Sequence, residues 1–351
     1  MKPKVLLLCN HDNSWTPQDI AETEIDRQRA VQALRSFGYE TQDVKVYQSV
    51  AEALRPLRLD PREWLVFNWC EGYADQPWNY DGVTEELDQL GFVYTGSDTG
   101  ALRISADKGR VQAALQKGHV SIPRGRVIRA GEEGHWSLFP AIVKPANQHG
   151  SYGIDPNAVV TDKEQLRQRV EYLHDTFQAP SLVEEFIDGR EFQVTVWGNR
   201  PVDVLPEVEV TFGNQMTWRD RIYTFDMKFA HDGPNCFHAG FVCPSMLTPQ
   251  LRARIGRACR QAYRAMRCRD YARIDVRTRQ DRVYVLDVNV NPDINSESLL
   301  VIAAEVAGLT YDEVITRIIE MATERWQALY HPAGVRRSRR HEQPKVVPQP
   351  V

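Results

Sequence analysis

The chain begins with a short apolar run and then an amphipathic stretch, and this pair of patterns occurs twice. Residues 4–9 (KVLLLC) form a continuous apolar segment of strand length, and residues 20–37 carry apolar side chains at helical spacing. Residues 64–67 repeat the strand pattern, and residues 83–90 repeat the helix pattern. Because strands that alternate with helices are typical of a parallel sheet, the pattern predicts a parallel α/β domain over residues 1–103.

The middle of the chain predicts a second, smaller unit over residues 104–186. Its pattern indicates a helix at 108–117, followed by short strands at 141–144 and 181–184. A glycine-containing loop and a helix at 162–174 lie between the two strands.

The third part, residues 187–330, contains more strands and longer helices. The predicted strands are 191–197, 202–210, 271–277 and 283–289, and the predicted helices are 249–266 and 299–326. The fold class is therefore a combination of α/β and α+β units. Residues 331–351 are basic and rich in proline with little apolar surface, which predicts a disordered tail.

Composition and charge then exclude several classes of protein. A chain of 351 residues with 42% hydrophobic and 26% charged residues can bury a substantial core. Its 43 basic and 47 acidic residues lack the basic excess of a nucleic-acid-binding protein, so no nucleic-acid partner is expected. No apolar run reaches the roughly 18 residues of a membrane helix, and the first run is too short for a signal peptide. We therefore expect a cytoplasmic protein with no membrane partner. The six cysteines show no C-x-x-C spacing, which argues against a zinc site or a disulfide framework.

Polar residues alternate with apolar ones along the last two predicted strands. Period-two alternation puts Arg273 and Asp275 on one face of the first strand, and Asp287, Asn289 and Asn291 on one face of the second. Two carboxylates beside amides and a guanidinium are costly to bury without a partner, and such an oxygen-rich cluster suits a hard cation such as Mg²⁺. A solvent-facing sheet surface is the open alternative, because alternating polar faces are common.

A glycine-containing loop follows the predicted strand that ends near Lys144. Gly150, Ser151 and Gly153 lie in this loop, so a lysine and exposed backbone N–H groups are available to a phosphate. The chain contains neither a Walker loop nor a G-x-G-x-x-G motif. An ordinary tight turn is the alternative for the loop taken alone.

Taken together, five motifs occur in a specific order. They are 105–108 (SADK), 142–145 (IVKP) with the loop after it, 183–191 (VEEFIDGRE), 273–275 (RID) and 286–292 (LDVNVNP). From about residue 60 to residue 325 this series resembles the ATP-grasp superfamily and, within it, the D-alanine–D-alanine ligases. The resemblance implies an ATP-grasp fold in which two subdomains clamp ATP beside an N-terminal substrate domain. It also implies ATP and two Mg²⁺ ions, or Mn²⁺, as cofactors, and a homodimer.

The resemblance implies a role for each motif residue. ATP would be bound by Lys108, Lys144, Glu184, Glu185, Ile187 and Glu191. The metal ligands would be Asp275, Asp287 and Asn289, and the catalytic residues Arg273, Ser151 in the closing loop and Lys228 in a mobile lid. Ser298 and Leu299 match the helix start on which the carboxylate of the second amino acid rests.

The chain departs from that family where the first substrate binds. The family has a Gly-Gly, Ser and Glu-His-Glu pattern whose glutamate holds the ammonium group of the first D-alanine, whereas residues 9–15 here read CNHDNSW. Glu71, in 68–72 (NWCEG), is a candidate replacement, and an exposed loop residue is the alternative. Asp293 stands where the family has a glycine, and its carboxylate would attract an amine. Several aromatic residues in the same segments indicate a larger substrate, unless they are core residues: Trp69, Trp78, Tyr80, Trp218, Tyr223, Phe229 and Phe237.

Three functional hypotheses follow from the residues and the resemblance. The first is an ATP-dependent carboxylate–amine ligase that acts through an acyl-phosphate and joins two amino acids, or an amino acid and an amine, other than two D-alanines. The second is a true D-alanine–D-alanine ligase of cell-wall synthesis with a divergent N-terminus. The third is a non-catalytic ATP-binding regulator on the same fold.

Overall fold

Three β-sheets succeed one another along the chain in a computed structural model that describes residues 2–148, 150–213, 216–229 and 239–332. The first sheet is parallel and the other two are antiparallel. The predicted domain boundaries after residues 103 and 186 lie between the sheets, and the division into domains remains a prediction.

The first sheet has the strand order β2-β1-β3. Its elements are β1 (Lys4–Asn10), α1 (Pro17–Ser36), β2 (Thr41–Val46), α2 (Val50–Leu54), β3 (Trp64–Trp69), α3 (Tyr80–Gln89) and α4 (Thr99–Ser105). The central strand is buried along most of its length, as its apolar run predicted. Sequence reasoning missed β2, because this edge strand has mostly half-buried polar residues and lacks the apolar run of its neighbours.

The second sheet has the order β4-β7-β5-β6, and one long helix packs against it. The elements of this part are α5 (Lys108–Lys117), β4 (Gly125–Ile128), β5 (Ala141–Pro145), β6 (Val159–Val160), α6 (Lys163–Phe177) and β7 (Ser181–Glu185). The sheet and α6 share a small core that includes Val143, Leu166, Val170 and Val183.

The third sheet has the order β11-β10-β8-β12-β13, with β9 paired to β8. Its strands are β8 (Arg190–Trp197), β9 (Asp203–Val204), β10 (Val208–Thr211), β11 (Gly240–Val242), β12 (Tyr271–Arg279) and β13 (Arg282–Asn289). The helices of this part are α7 (Phe225–Phe229), α8 (Pro249–Ala265), α9 (Leu299–Val306) and α10 (Tyr311–Tyr330).

Two predicted elements of the third part are each divided in the structure. The predicted helix 299–326 is α9 and α10, because Gly308 adopts φ +90° and Thr310 starts a new helix with a capping box that includes Glu313. The predicted strand 202–210 is β9 and β10, which are separated around Pro206, a residue that has no N–H for a ladder bond.

One hydrophobic core joins the first and third parts of the chain. It combines residues of β1, β3 and α1 with residues of α9 and α10, including the fully buried Trp326. A buried carboxylate reinforces the junction: Asp270 accepts hydrogen bonds from the Gly96 N–H at 2.9 Å and from Arg325 Nη2 at 2.7 Å, and it also binds Asn199.

Two further predictions concern features at the periphery. In the described part of the chain, no helix combines the length and the hydropathy that a membrane crossing requires. The predicted tail lies outside the described residues from position 333 onward.

Candidate active site

A cleft of about 1160 Å³ lies between the three sheets. The residues that were predicted to bind ATP, metal or substrate, or to take part in catalysis, all line it: Glu71, Lys108, Lys144, Ser151, Glu184, Glu185, Ile187, Glu191, Lys228, Arg273, Asp275, Asp287, Asn289, Asp293, Ser298 and Leu299. Side chains that are more than 200 positions apart in sequence therefore face one space.

The polar face of β12 and β13 forms the floor of this cleft. Arg273 lies opposite Asn289, and Asp275 lies opposite Asp287, while the intervening apolar side chains enter the core beneath. A β-bulge after Asp275 shifts the register, so that Val285 also faces the core. The predicted alternation is confirmed for these residues, and they line an internal cleft rather than the outer surface.

This floor carries the oxygen donors that were predicted to bind metal. Two carboxylates, of Asp275 and Asp287, stand directly across the strand pair, with the Asn289 amide on the same face. Among the described residues, no group of three His, Cys, Asp or Glu side chains could hold an ion alone. Mg²⁺ is usually bound by one or two carboxylates together with phosphate oxygens, so the donor set fits a cation that is shared with a nucleotide.

Arg273 extends along the same floor. Its Nε donates to Asp275 Oδ1 at 2.9 Å. Burial lowers the pKa of the guanidinium, but the neighbouring carboxylates of Asp275 and Asp287 outweigh burial and raise it. A fixed positive charge therefore lies beside the carboxylate pair.

Two lysines approach the carboxylates from the second part of the chain. Lys144, on β5, places Nζ 2.7 Å from Glu184 Oε2, and both side chains are buried. Burial lowers the pKa of Lys144, but Glu184 and Asp287 outweigh it and raise the pKa above the ordinary value. Lys108, the first residue of α5, donates to the Gln148 carbonyl, and its pKa is lowered by burial and by Lys144.

The segment that was predicted to bind adenine and ribose is held by side-chain hydrogen bonds and an ion pair. Gln112 Nε2 donates to Glu184 Oε1 at 2.9 Å, and Glu185 Oε1 accepts from Arg279 Nη1 at 2.5 Å. The backbone of this segment is tied as well, because the Glu185 N–H donates to the Arg124 carbonyl at 2.8 Å.

Arg277 organises this end of the cleft, and the sequence analysis missed it. Its Nε donates to Glu191 Oε2 at 2.9 Å, and its Nη1 donates to the Ile187 carbonyl at 3.0 Å. The guanidinium is buried over the Phe186 ring at 5.0 Å. Continuing the alternation from Arg273 and Asp275 by two residues would have found it.

A loop and a short helical segment meet above the end of the cleft that contains Lys108 and Lys144. Ser151 adopts φ +67°, and its Oγ lies 3.5 Å from the Tyr223 carbonyl oxygen. The Tyr152 and Phe225 rings are in contact, with centroids 4.5 Å apart. The loop after β5 and the segment before α7 therefore touch each other across the cleft.

Lys228, on α7, lies at the rim of this contact. Its Nζ is 4.9 Å from the centroid of the Tyr223 ring. Burial and the nearby Arg273 guanidinium lower the pKa of Lys228 to about 8. An anion in the cleft would favour its charged form.

The opposite end of the cleft is acidic. Glu71 follows β3, and its Oε1 accepts from the Tyr80 hydroxyl at 3.2 Å. Burial and the nearby Asp293 raise the pKa of Glu71 to about 7. Asp293 faces the cleft, and its Oδ1 accepts a hydrogen bond from the Asn295 N–H at 3.0 Å. Burial within the cleft raises the pKa of Asp293. Neither carboxylate has an ion pair among the residues that the structure describes.

Aromatic side chains surround these two acids. Trp69, Trp78 and Tyr80 line the cleft, and the Trp78 and Tyr80 rings are 6.2 Å apart. Trp15, which the sequence analysis had not singled out, joins them. Of the other aromatic candidates, Tyr223 lines the cleft and Trp218 packs against Phe186. The Phe229 side chain and Phe237 lie outside the described residues.

A helix start closes the acidic end. Ser298 is the N-cap of α9, and its Oγ accepts from the Val301 N–H at 3.3 Å. Leu299 is the first residue of the helix. The helix N-terminus was expected at this position, and such an end favours a negatively charged group.

Gln193, on β8, is another residue that the sequence analysis missed. It lines the cleft, is only 2% exposed, and its Oε1 has no hydrogen-bond partner among the described residues. Within the sequence it stands in an apolar strand and gives no signal of its own.

Comparison with known proteins agrees with this arrangement. Residues 124–320 match the family model described as D-ala D-ala ligase C-terminus. A D-alanine–D-alanine ligase of Desulforudis audaxviator is 28% identical over 84% of this chain and 91% of its own. The uncharacterized protein y4sG of Sinorhizobium fredii is 30% identical over 84% of this chain and 87% of its own.

Solved structures show the same fold. The structure of D-alanine–D-alanine ligase from Bacillus anthracis in complex with ATP has a TM-score of 0.71 and 18% identity. It covers 93% of this chain and 99% of its own. A second structure of the Bacillus anthracis ligase also has a TM-score of 0.71, at 19% identity. The predicted ATP-grasp fold is confirmed, as is the prediction of an ATP-dependent ligase that forms C–N bonds. The matched family model spans more than half of the chain, which therefore belongs to the D-alanine–D-alanine ligase family.

Proposed function

We propose that this ligase joins a carboxylate to an amine through an acyl-phosphate, and that at least one substrate carries a cationic amine or a bulky group that D-alanine lacks. The observation that carries the substrate proposal is the acidic end of the cleft, where Glu71 and Asp293 have no ion-pair partner among the described residues. Two carboxylates that repel each other in a partly buried site favour a positively charged ligand.

ATP would occupy the opposite end. Lys108 and Lys144 would contact the phosphates, and Glu184, Glu185, Ile187 and Glu191 would contact adenine and ribose: these residues line one continuous wall. Ser151 and Lys228 would close over the phosphates, because their segments already touch through Tyr223.

Two divalent cations would be held by Asp275, Asp287 and Asn289. When bound, such ions neutralise phosphate charge and make the terminal phosphorus more open to attack. The carboxylates supply negative oxygen ligands and the amide a neutral one, which is the chemistry that Mg²⁺ or Mn²⁺ prefers.

The reaction has two transfers. A carboxylate oxygen of the first substrate attacks the terminal phosphorus of ATP, the bond to the bridging oxygen breaks, and ADP leaves. The amine of the second substrate then attacks the acyl carbon, the C–O bond to phosphate breaks, and the amine nitrogen loses a proton to solvent. Arg273 lies beside the metal carboxylates, where its fixed charge stabilises the oxygen that becomes negative in each step.

The second substrate is held by the start of α9. Its carboxylate, where it has one, would rest near Ser298 and Leu299. Asp293, a few residues before the helix, would then face the amino side of a substrate and disfavour any group of like charge.

A true D-alanine–D-alanine ligase is the alternative that the relatives' names favour. The substrate end argues against it, since residues 9–15 lack the family's glutamate pattern and aromatic rings fill the surroundings of Glu71. A non-catalytic ATP-binding regulator is disfavoured by the presence of both lysines, Arg273 and the carboxylate pair in one cleft.

The deciding experiment is a screen for ADP release with D- and L-amino acids, singly and in pairs, and with diamines and diamino acids as amine donors. We expect turnover with a pair that includes a cationic or bulky substrate and poor turnover with D-alanine alone. Turnover on D-alanine as fast as on any other substrate would contradict the substrate proposal. Absence of ADP release with every pair, in a protein that binds ATP, would favour the regulator.

A further inference from the structure

Gln193 continues the row of oxygen donors on the cleft floor. Along one line across three strands, Gln193 of β8 lies opposite Asp275 of β12, which lies opposite Asp287 of β13. Directly opposite residues share one face of a sheet, with Cβ atoms about 5 Å apart. The next row along the strands consists of Thr195, Arg273 and Asn289.

The Gln193 amide is buried without a partner for its oxygen. The residue is 2% exposed, and among the described residues no donor reaches Oε1. The nearest cation in the adjacent row, Arg273, is committed to Asp275 through Nε at 2.9 Å. A buried acceptor without a hydrogen bond normally destabilises a protein, so the fold retains Gln193 here at the expense of stability.

The neighbouring acceptors restrict which groups can interact favourably with the Gln193 amide oxygen. An amide oxygen beside the carboxylate of Asp275 faces a second acceptor and gains nothing from a further anion. It gains from a positively charged ion or from a water molecule whose protons are polarised by that ion. The ribose is a weaker candidate, because the residue predicted to contact it, Glu191, lies one row away and is itself ordered by Arg277.

We infer that Gln193 is a positioning residue of the cation centre, whose amide oxygen accepts a hydrogen bond from water held by the divalent cation at Asp275 and Asp287. This inference rests on the proposed cation site, and it assigns the site an outer ligand that comes from a third strand. Outer contacts of this kind fix the orientation of the inner ligands and tune the affinity for the ion.

The test compares Gln193→Leu, which keeps a similar volume without the acceptor, with the parent protein. Mn²⁺ binding is measured by electron paramagnetic resonance in the presence of a non-hydrolysable ATP analogue. We expect Gln193→Leu to weaken Mn²⁺ binding by about tenfold. Thermal unfolding without metal or nucleotide should show the opposite sign, with Tm raised by about 1 to 3 °C because the unsatisfied acceptor is gone.

Two further variants keep the test decisive. Gln193→Glu restores an oxygen acceptor and adds charge, so its Mn²⁺ affinity should equal or exceed that of the parent. Thr195→Val, on the same strand and face but outside the cleft lining, should change neither Mn²⁺ affinity nor Tm by a comparable amount. Should Gln193→Leu be poorly folded, Gln193→Glu against the parent still decides the question.

Unchanged Mn²⁺ affinity in Gln193→Leu, or weaker affinity in Gln193→Glu, would overturn the inference. Weaker nucleotide binding without metal in Gln193→Leu would also overturn it and would assign the amide to the nucleotide. These measurements need no turnover, so failure of the ligase proposal in the ADP screen can be distinguished from failure of this one.

Discussion

The two ends of the cleft treat charge in opposite ways. At the nucleotide end, three pairs of opposite charge lie within the chain: Lys144 with Glu184, Arg277 with Glu191, and Arg279 with Glu185. Lys108 donates to the Gln148 carbonyl. At the substrate end, the carboxylates of Glu71 and Asp293 repel each other, and neither is paired with a cation among the described residues.

This difference separates what the protein fixes before binding from what a ligand must complete. Paired charges order the side chains of the nucleotide wall before ATP binds, so little side-chain ordering remains to be done on binding. The two unpaired acids carry negative charge that no side chain neutralises among the described residues, and a positively charged substrate would neutralise it. We therefore expect nucleotide binding to depend on the paired end and substrate choice to depend on the unpaired end.

The largest expected effect comes from the floor that both ends share. Asp287→Asn removes one of the two carboxylates of the proposed cation site and should lower the rate of ADP release by about a thousandfold, with the fold intact. Circular dichroism and initial rates check this. Asp281→Asn, in the exposed turn of the same hairpin, is the matched control. Near-normal turnover of the Asp287 variant at ordinary Mg²⁺ would refute the site.

Removing a lysine at the nucleotide end should have the next largest effect. Lys144→Ala and Lys108→Ala should each weaken ATP binding and turnover together, by about ten- to a hundredfold, because each removes a charge that acts in ground and transition states alike. The exposed Lys163→Ala is the control, and calorimetry gives the affinities. Parent-like ATP affinity in both variants would make these lysines irrelevant to the phosphates.

The Lys144 pair also offers a separate test of stability. Lys144→Ala leaves Glu184 buried without its cation and should destabilise the fold by about 3 kcal/mol. The double variant Lys144→Ala/Glu184→Gln should regain most of the Tm that Lys144→Ala loses. It should regain none of the ATP affinity, because the lysine is still absent. Recovery of both would mean that the pair serves structure alone.

Removing charge at the substrate end should affect one substrate and spare ATP. Because the pKa of Glu71 is raised to about 7, its carboxylate loses its proton around neutral pH in the unliganded protein. The KM of a cationic substrate should therefore fall as pH rises from about 6 to about 8. Glu71→Gln should raise that KM about tenfold at pH 8, remove its pH dependence and leave the KM for ATP unchanged. Glu52→Gln, on the exposed surface, is the control, and wild-type kinetics with every accepted pair would contradict the role.

The smallest effect is on stability. Because its folded-state pKa is raised, Glu71 keeps a proton that the unfolded chain loses, so its contribution to stability falls as pH rises from about 4.5 to about 7. Glu71→Gln should raise Tm by about 1 to 2 °C at pH 8 and by less at pH 5. Equal shifts at both pH values would show that burial, rather than charge, governs this position.

The sequence predicted the floor of the cleft better than its walls. Alternation along two strands is a local property, so Arg273, Asp275, Asp287 and Asn289 were assigned to one face correctly. The bulge after Asp275 could not be predicted, because a single inserted residue changes register without changing the composition of the strand.

The approach of distant segments could be expected from the resemblance but not from local patterns. Glu71 and Asp293 are separated by more than 200 residues, and both line one end of the cleft because the core of α9 and α10 packs against β1 and β3. Such an approach depends on tertiary packing that no local pattern encodes. Gln193 is the extreme case, because the role proposed for it depends entirely on its position opposite Asp275 of the neighbouring strand.

The buried Asp270 connects two of the three parts of the chain. Its hydrogen bonds to Gly96 and Arg325, and the shared core around them, fasten the first and third parts of the chain into one rigid frame. The sheet of β4 to β7 with α6 has a main core of its own, which is linked to that frame by the Arg279–Glu185 ion pair and by the small cluster of Ala158, Val159, Phe186 and Ile222. We therefore expect ATP to enter and ADP to leave by a hinged movement of this sheet alone, while the acidic end stays still. The amine substrate and the acid substrate would then keep their relative positions while the nucleotide is exchanged.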